Sequence, residues 1–68
     1  MMKEVDARGL SCPEPVMLTE EALKSGNEPV RVLLTEPHQR MNVENCAKDH
    51  GRTYTSEETE DGFAVVIG

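Results

Sequence analysis

Two segments of the chain begin at a proline and end at a glycine, and they constrain its architecture most. The first starts at Pro15 and reaches Gly26, and the second runs from Pro37 to Gly51. Proline suits the first turn of a helix, because its φ is already helical and its missing N–H would have no partner there. Glycine suits the left-handed residue that closes a helix. The sequence therefore predicts two helices, each with a left-handed glycine after its last turn.

Apolar side chains recur at helical spacing within both segments. We expect helix one to run from about Glu14 to Ser25, and helix two from Pro37 to His50. The residues predicted to face the core are Pro15, Leu18, Thr19, Ala22 and Leu23 in helix one, and Val43, Cys46, Ala47 and His50 in helix two.

Four other segments have the composition of β-strands. They are Glu4 to Ala7 or Arg8, Val30 to Thr35, Arg52 to Glu58, and Phe63 to Ile67. The second is the most aliphatic and should be central, whereas the polar third suits an exposed edge. The order β-α-β-α-β-β predicts an α/β fold. Right-handed crossovers place both helices on one face of the sheet if the strand order keeps growing in one direction, which gives a two-layer sandwich.

Length, charge and cysteine content limit the classes of function. With 68 residues we expect one domain, 1–68, whose core is aliphatic because the chain has one Phe, one Tyr and no Trp. A net charge of −6 argues against direct binding of nucleic acid. The longest apolar run is too short to cross a membrane. Two cysteines and no secretory signal pattern favour a cytoplasmic protein.

Cys12 is the residue most suited to chemistry. Gly9 predicts a turn before it and Pro13 stiffens the chain after it, so Cys12 lies at or just before the start of helix one. The positive end of a helix dipole favours the thiolate form of a cysteine. Arg8 would add positive charge, and Glu14 would partly oppose it. The alternative is that Cys12 is a small buried residue without chemistry.

Residues 6–15 form a specific motif around this cysteine. They read Asp6-Ala7-Arg8-Gly9-Leu10-Ser11-Cys12-Pro13-Glu14-Pro15. This resembles the signature Asp-x-Arg-Gly-Leu-x-Cys-Pro-x-Pro of the TusA/SirA-like sulfur-carrier family. Residues 42–51 are similar, more loosely, to the second helix of the branch found in YedF-type selenium-metabolism proteins. The resemblance implies a mixed four-stranded sheet in the order 1-2-4-3 with an antiparallel last strand.

The resemblance also implies a function. Cys12 matches the cysteine that carries a persulfide sulfur from a cysteine desulfurase, or another persulfide donor, to an acceptor protein thiol. Such a sulfurtransferase-like carrier needs no cofactor, and we expect none. The residues expected to support Cys12 are Asp6, Arg8, Pro13, Glu14 and Pro15, and those expected to bind partners are Val16 and Met17. Asp6 and Arg8 have a structural role, in which they pair with each other or cap nearby N–H groups, or Arg8 supports the anionic sulfur; the two roles are compatible.

Other functions are compatible with parts of this pattern. The same surface could serve a regulatory, interaction or redox-sensing domain linked to selenium metabolism. A thiol peroxidase would need a resolving cysteine, and Cys46 is badly placed because it falls on the apolar stripe of helix two. Cys46 and His50 have a spacing that allows shared metal binding, with Cys12 and His38 as further ligands. Without a Cys-x-x-Cys pair we predict no metal site.

Overall fold

The structure, a computed structural model, describes residues 2–68 and contains all six predicted elements. Their bounds lie within two residues of the predicted ones. The elements are β1 (Lys3–Asp6), α1 (Glu14–Lys24), β2 (Val30–Leu34), α2 (Pro37–Asp49), β3 (Tyr54–Thr59) and β4 (Gly62–Ile67).

The four strands form one mixed sheet in the order β1-β2-β4-β3, which confirms the predicted order. β1 pairs parallel with β2, with Val5 opposite Val32, and β4 runs antiparallel to both β2 and β3. β2 is a central strand, as its aliphatic composition predicted. β1 and β3 are the two edges, so the loop that follows β1 lies at an edge of the sheet.

Both helices cover one face of this sheet and enclose an aliphatic core. On β2, alternate residues Val30, Val32 and Leu34 are fully buried beneath the helices, and Val65 of β4 continues the layer. Burial of these side chains is the main stabilising contribution, since each aliphatic residue removed from water contributes about 1.5–3 kcal/mol. The predicted two-layer α/β sandwich is confirmed.

The opposite face of the sheet is held by ion pairs. Arg31 of β2 reaches Glu4 of β1 at 3.1 Å and Glu57 of β3 at 3.4 Å. One guanidinium therefore links a central strand to both edge strands, across a face that the helices leave uncovered.

The hairpin between β3 and β4 depends on a close approach at Gly62. A Cβ atom at Gly62 would lie 2.0 Å from the carbonyl oxygen of Leu34, which is closer than two non-bonded atoms can approach. A glycine is therefore required here for steric reasons, and it lets β4 begin directly against the end of β2.

The end of α1 differs from the prediction. The residue after its last turn is Ser25, in right-handed geometry, and Gly26 does not take the left-handed conformation; in residues 2–68 only Gly9, Gly51 and Gly62 have positive φ. The reason is a local hydrogen bond. The Ser25 hydroxyl donates to the Ala22 carbonyl oxygen at 2.9 Å and so satisfies the helix end without a glycine cap. Gly51, with φ of 68°, closes α2 as predicted.

Two residues of the predicted apolar stripes are exposed. Leu18 is 36% exposed, because it faces the side of α1 next to the edge strand β1, where no further strand covers it. His50 is exposed at the C-cap of α2, where its Nδ1 lies 2.9 Å from the Cys46 carbonyl oxygen. The other predicted core residues of the two stripes are buried, except that Ala22 is half-buried.

Candidate functional site

The loop between β1 and α1 presents Cys12 to solvent. Gly9 has a φ of 77°, a left-handed turn that favours glycine, and its N–H donates to the Thr35 hydroxyl at 2.8 Å. Beyond the turn, the Glu14 N–H donates to the Ser11 carbonyl oxygen at 3.0 Å, and the Cys12–Pro13 peptide bond is cis. Cys12 therefore lies on a loop held at one end by Thr35, directly after β2, and at the other by the start of α1.

α1 begins immediately after the cysteine. Pro13 is the N-cap and makes no side-chain capping bond, Glu14 is the first helical residue, and Pro15 follows as a buried second residue. Peptide N–H groups at this end carry the positive pole of the helix dipole. No side chain caps this end, the Glu14 N–H is bonded to the Ser11 carbonyl oxygen, and the Glu14 carboxylate adds a negative charge next to it.

Asp6 and Arg8 pair with each other, which is the structural role that the sequence suggested for them. Arg8 Nη2 lies 2.9 Å from Asp6 Oδ2, and the Arg8 N–H also donates to the same carboxylate. These bonds lower the pKa of Asp6 from 3.8 to about 2 and raise the pKa of Arg8. A second carboxylate, Asp61 of the β3–β4 turn, lies 3.0 Å from Arg8 Nη1. The guanidinium is thus occupied by two carboxylates and anchors the loop.

Two depressions border the Cys12 side chain. One is a narrow apolar cleft between the helices, without room for a water molecule, lined by Pro13, Pro15, Val16, Gln39 and Asn42. The other is an open cavity of about 330 Å³ between the loop and the start of α2, lined by Gly9, Leu10, Ser11, Thr35, Glu36, His38 and Gln39. A small group attached to the sulfur could therefore remain beside the protein.

Gln39 is the one residue common to both depressions apart from Cys12, and the sequence analysis missed it. It is only 4% exposed, and its Nε2 donates to the Leu10 carbonyl oxygen at 2.5 Å. The signal was present in the sequence: Gln39 lies four residues before Val43 and continues the apolar stripe of α2. A polar residue on a buried stripe is informative because it must satisfy its hydrogen bonds inside the protein.

The expected partner-binding residues differ in exposure. Met17 is 59% exposed in the first turns of α1, near the exposed Pro13 and Glu14. Val16, predicted to lie off the buried stripe, is half-buried: it packs against the core and lines the narrow cleft. Met17 is therefore accessible for contact with another protein, whereas Val16 mainly shapes the cleft beside Cys12.

Cys46 is a core residue. It is 6% exposed on α2, and burial, together with Glu20 and Asp49, raises the pKa of its thiol. Its Sγ lies 3.9 Å from His50 Nδ1. Within residues 2–68 no three His, Cys, Asp or Glu side chains are arranged to hold a metal ion. Cys12 and His38 border the open cavity, and Cys46 lies in the core beneath α2.

Comparison with known proteins identifies the family. The family model described as Sulfurtransferase TusA matches residues 3–68. The chain belongs to the TusA family. A protein of Methanocaldococcus jannaschii named as a sulfur carrier protein is 35% identical and covers 97% of this chain and 92% of its own length. The crystal structure of a SirA-like protein from Desulfitobacterium hafniense superposes with a TM-score of 0.89 at 31% identity, covering 98% of this chain and 95% of that one.

Another TusA relative is much longer than this chain. A protein of Aquifex aeolicus, also named as a sulfur carrier protein, is 34% identical over 65 residues, and the match covers 93% of this chain but 33% of that protein. The resemblance to the TusA/SirA-like family predicted from residues 6–15 is confirmed, and membership implies a sulfur relay with donor and acceptor proteins. In residues 2–68, neither helix is long and apolar enough to cross a membrane.

Proposed function

We propose that this chain is a sulfur carrier that holds a sulfane sulfur as a persulfide on Cys12. The observation that carries the proposal is the exposed thiol of Cys12, placed directly before the uncapped N-terminus of α1. Membership of the TusA family and the names of its relatives support the same function. The donor we propose is a cysteine desulfurase or another protein persulfide, and the acceptor is a protein thiol.

The chemistry consists of two exchanges at one sulfur atom. In loading, the Cys12 thiolate attacks the outer sulfur of the donor persulfide; a new S–S bond forms, the donor S–S bond breaks, and the donor cysteine leaves as a thiolate. In unloading, the acceptor thiolate attacks the outer sulfur now on Cys12, and Cys12 departs as a thiolate. Neither step needs an external oxidant or reductant. Cys12, next to the N-terminus of α1, is the nucleophile in the first exchange and the leaving group in the second.

The residues around Cys12 act by fixing the loop and by presenting it to partners. Asp6 and Arg8 tie the loop to the β3–β4 turn, while Pro13 and Pro15 determine how it enters α1. Glu14 lies in the first turn of α1, two residues after Cys12, and its negative charge opposes an anion on the Cys12 sulfur.

The surface that we propose for partner docking combines Val16 and Met17 with the exposed loop. The residues form one domain, 1–68, working in the cytoplasm. If the relay serves RNA modification, a partner protein holds the RNA, because the net charge of −6 opposes direct binding.

The proposal is tested by intact mass spectrometry after incubation with a cysteine desulfurase and cysteine. We expect a gain of one sulfur atom in the wild-type chain and in Cys46→Ala, and no gain in Cys12→Ser. Alanine is preferred at Cys46 because serine would place a hydroxyl in the core. Loss of the gain in Cys46→Ala with retention in Cys12→Ser would contradict the assignment. Absence of any gain in all three proteins would remove desulfurase loading as the function.

A further inference from the structure

The side-chain oxygen of Gln39 is buried without a hydrogen-bond partner among residues 2–68. Its amide nitrogen is already bonded to the Leu10 carbonyl oxygen, so the amide cannot be reversed without turning two oxygens towards each other. Buried polar atoms of folded proteins nearly always have a partner. An unpaired acceptor beside Cys12 therefore points to a donor that comes from outside the folded chain.

The location of Gln39 limits what that donor can be. Gln39 lines both depressions that border Cys12, and the cleft between the helices is too narrow for a water molecule. A donor can therefore approach only from the open cavity, which Cys12 also borders. A free thiol ends at Sγ, but a persulfide carries a second sulfur with its own hydrogen, which extends one bond further into the site.

We propose that Gln39 is a positioning residue for the persulfide: its Oε1 accepts a hydrogen bond from the outer S–H group on Cys12, while its Nε2 anchors the loop at Leu10. This inference rests on the proposed carrier function. It assigns Gln39 the task of keeping the outer sulfur protonated and directed towards the cavity.

A protonated outer sulfur is the form that transfers best. The acceptor attacks as a thiolate, and a neutral S–H group does not repel it as an anionic sulfur would. During the step, the acceptor sulfur bonds to the outer sulfur, which keeps its hydrogen, and the bond to Cys12 Sγ breaks. The electron pair of that bond stays on Cys12, whose thiolate lies at the N-terminus of α1. Gln39 and the helix end therefore act on opposite ends of the breaking bond.

The test uses chemical loading, so its result does not depend on any donor enzyme. Cys12 is loaded with inorganic polysulfide, and transfer of the outer sulfur to glutathione is followed by intact mass. Iodoacetamide alkylation of the unloaded thiol is measured in parallel. For Gln39→Met we expect transfer to slow by about tenfold, the effect of losing one ordinary hydrogen bond. The alkylation rate should not change, because the unloaded thiol has no outer sulfur. An unchanged ratio of the two rates would overturn the proposal.

Two further variants separate positioning from anchoring of the loop. Gln39→Glu retains an acceptor oxygen but turns its second oxygen towards the Leu10 carbonyl oxygen, so it removes the anchor and should still transfer sulfur faster than Gln39→Met. Asp61→Asn weakens the anchor at Arg8 without approaching Gln39, and it should leave the ratio of transfer to alkylation at the wild-type value. If Asp61→Asn lowers the ratio as much as Gln39→Met, loop anchoring explains the effect and the proposal is wrong.

A spectroscopic measurement tests the same role with Gln39 itself unchanged. On loading, the side-chain amide resonances of Gln39 should shift in ¹⁵N-resolved NMR spectra, because Oε1 gains a donor. The same treatment of Cys12→Ser should leave them unmoved. Resonances that do not move in a chain shown by mass to be loaded would refute the role of Gln39 and leave the carrier function intact. If a cysteine desulfurase does not load the chain, but the Gln39 resonances shift on loading with polysulfide, desulfurase loading is wrong and the role of Gln39 stands.

Discussion

Arg8 and Asp61 lie 53 positions apart in the sequence and are joined by an ion pair of 3.0 Å. The pair fastens the Cys12 loop, at one end of the chain, to the turn between β3 and β4. Both side chains are largely exposed, so the pair contributes more to orientation than to stability. With Asp6 also bonded to it, the Arg8 guanidinium is paired with two carboxylates.

Acid should weaken this anchor through Asp6. The pKa of Asp6 is about 2 in the folded chain and 3.8 when unperturbed, so its stabilising contribution is present above 3.8 and is lost as the pH falls towards 2. Asp6→Asn should therefore lower the melting temperature slightly at neutral pH, by roughly 2 °C for an exposed pair. The difference in melting temperature between Asp6→Asn and wild type should vanish as the pH approaches about 2. A difference that stays constant over this range would contradict the assigned pairing.

Gly62→Ala should be strongly destabilising. Its Cβ would meet the Leu34 carbonyl oxygen at 2.0 Å, and the backbone of β2 cannot move without disturbing two strand pairs. We expect a loss of at least about 2 kcal/mol in urea unfolding. Gly26→Ala is the matched control, because Gly26 is not left-handed and its nearest neighbour would be the Glu28 side chain at 3.8 Å. It should be neutral or slightly stabilising; a large loss there would show that Gly26 is constrained after all.

The two cysteines should differ sharply in reactivity. Cys12 is exposed, whereas Cys46 is 6% exposed with a pKa raised by burial. Iodoacetamide should therefore add one group to the native chain, at Cys12, and two in denaturant. Because the folded state keeps Cys46 protonated, stability should fall as the pH rises above 9.0, the unperturbed pKa at which the unfolded thiol ionises. Cys46→Ala should show a smaller fall, and equal falls in both proteins would exclude this thiol as the cause.

Met17 should affect the loading of Cys12 by a partner protein but not the reactivity of the Cys12 thiol with small molecules. It is 59% exposed on α1, and Met41 is similarly exposed, at 55%, on α2. Met17→Ser should slow loading by a cysteine desulfurase several-fold, because it removes apolar contact area near the loop, while loading by polysulfide stays at the wild-type rate. Met41→Ser is the matched control and should leave both rates unchanged. Equal effects of the two substitutions on desulfurase loading would argue against the proposed docking surface.

Most of the fold was predictable because its signals are local. Proline at the start of each helix, the aliphatic composition of Val30 to Thr35, and Gly9 before Cys12 each determine structure within a few residues. The errors at Gly26 and Leu18 have two origins. At Gly26 a competing local bond, from the Ser25 hydroxyl to Ala22, replaces the glycine cap. Leu18 is exposed because, among residues 2–68, no strand lies beyond β1 in the sheet.

The site was less predictable than the fold. Cys12 and the residues of its motif are adjacent in sequence, so a pattern could indicate them. The ion pair of Arg8 with Asp61 and the bond of Gln39 to Leu10 connect residues far apart along the chain. The spacing of apolar residues along the sequence does not indicate contacts between distant residues. These residues meet because the order of the strands brings their loops together.

The position of β4 between β2 and β3 has a consequence for how the chain folds. The pairing of Leu34 with Phe63 closes a loop that contains all of α2 and β3, and β3 has only β4 as a neighbour in the sheet. Closing such a loop costs entropy before its contacts form, so we expect insertion of β4 to be the slow step of folding. The anchor from Asp61 to Arg8 forms only after this insertion, and the loop that presents Cys12 is therefore among the last parts to reach its final geometry.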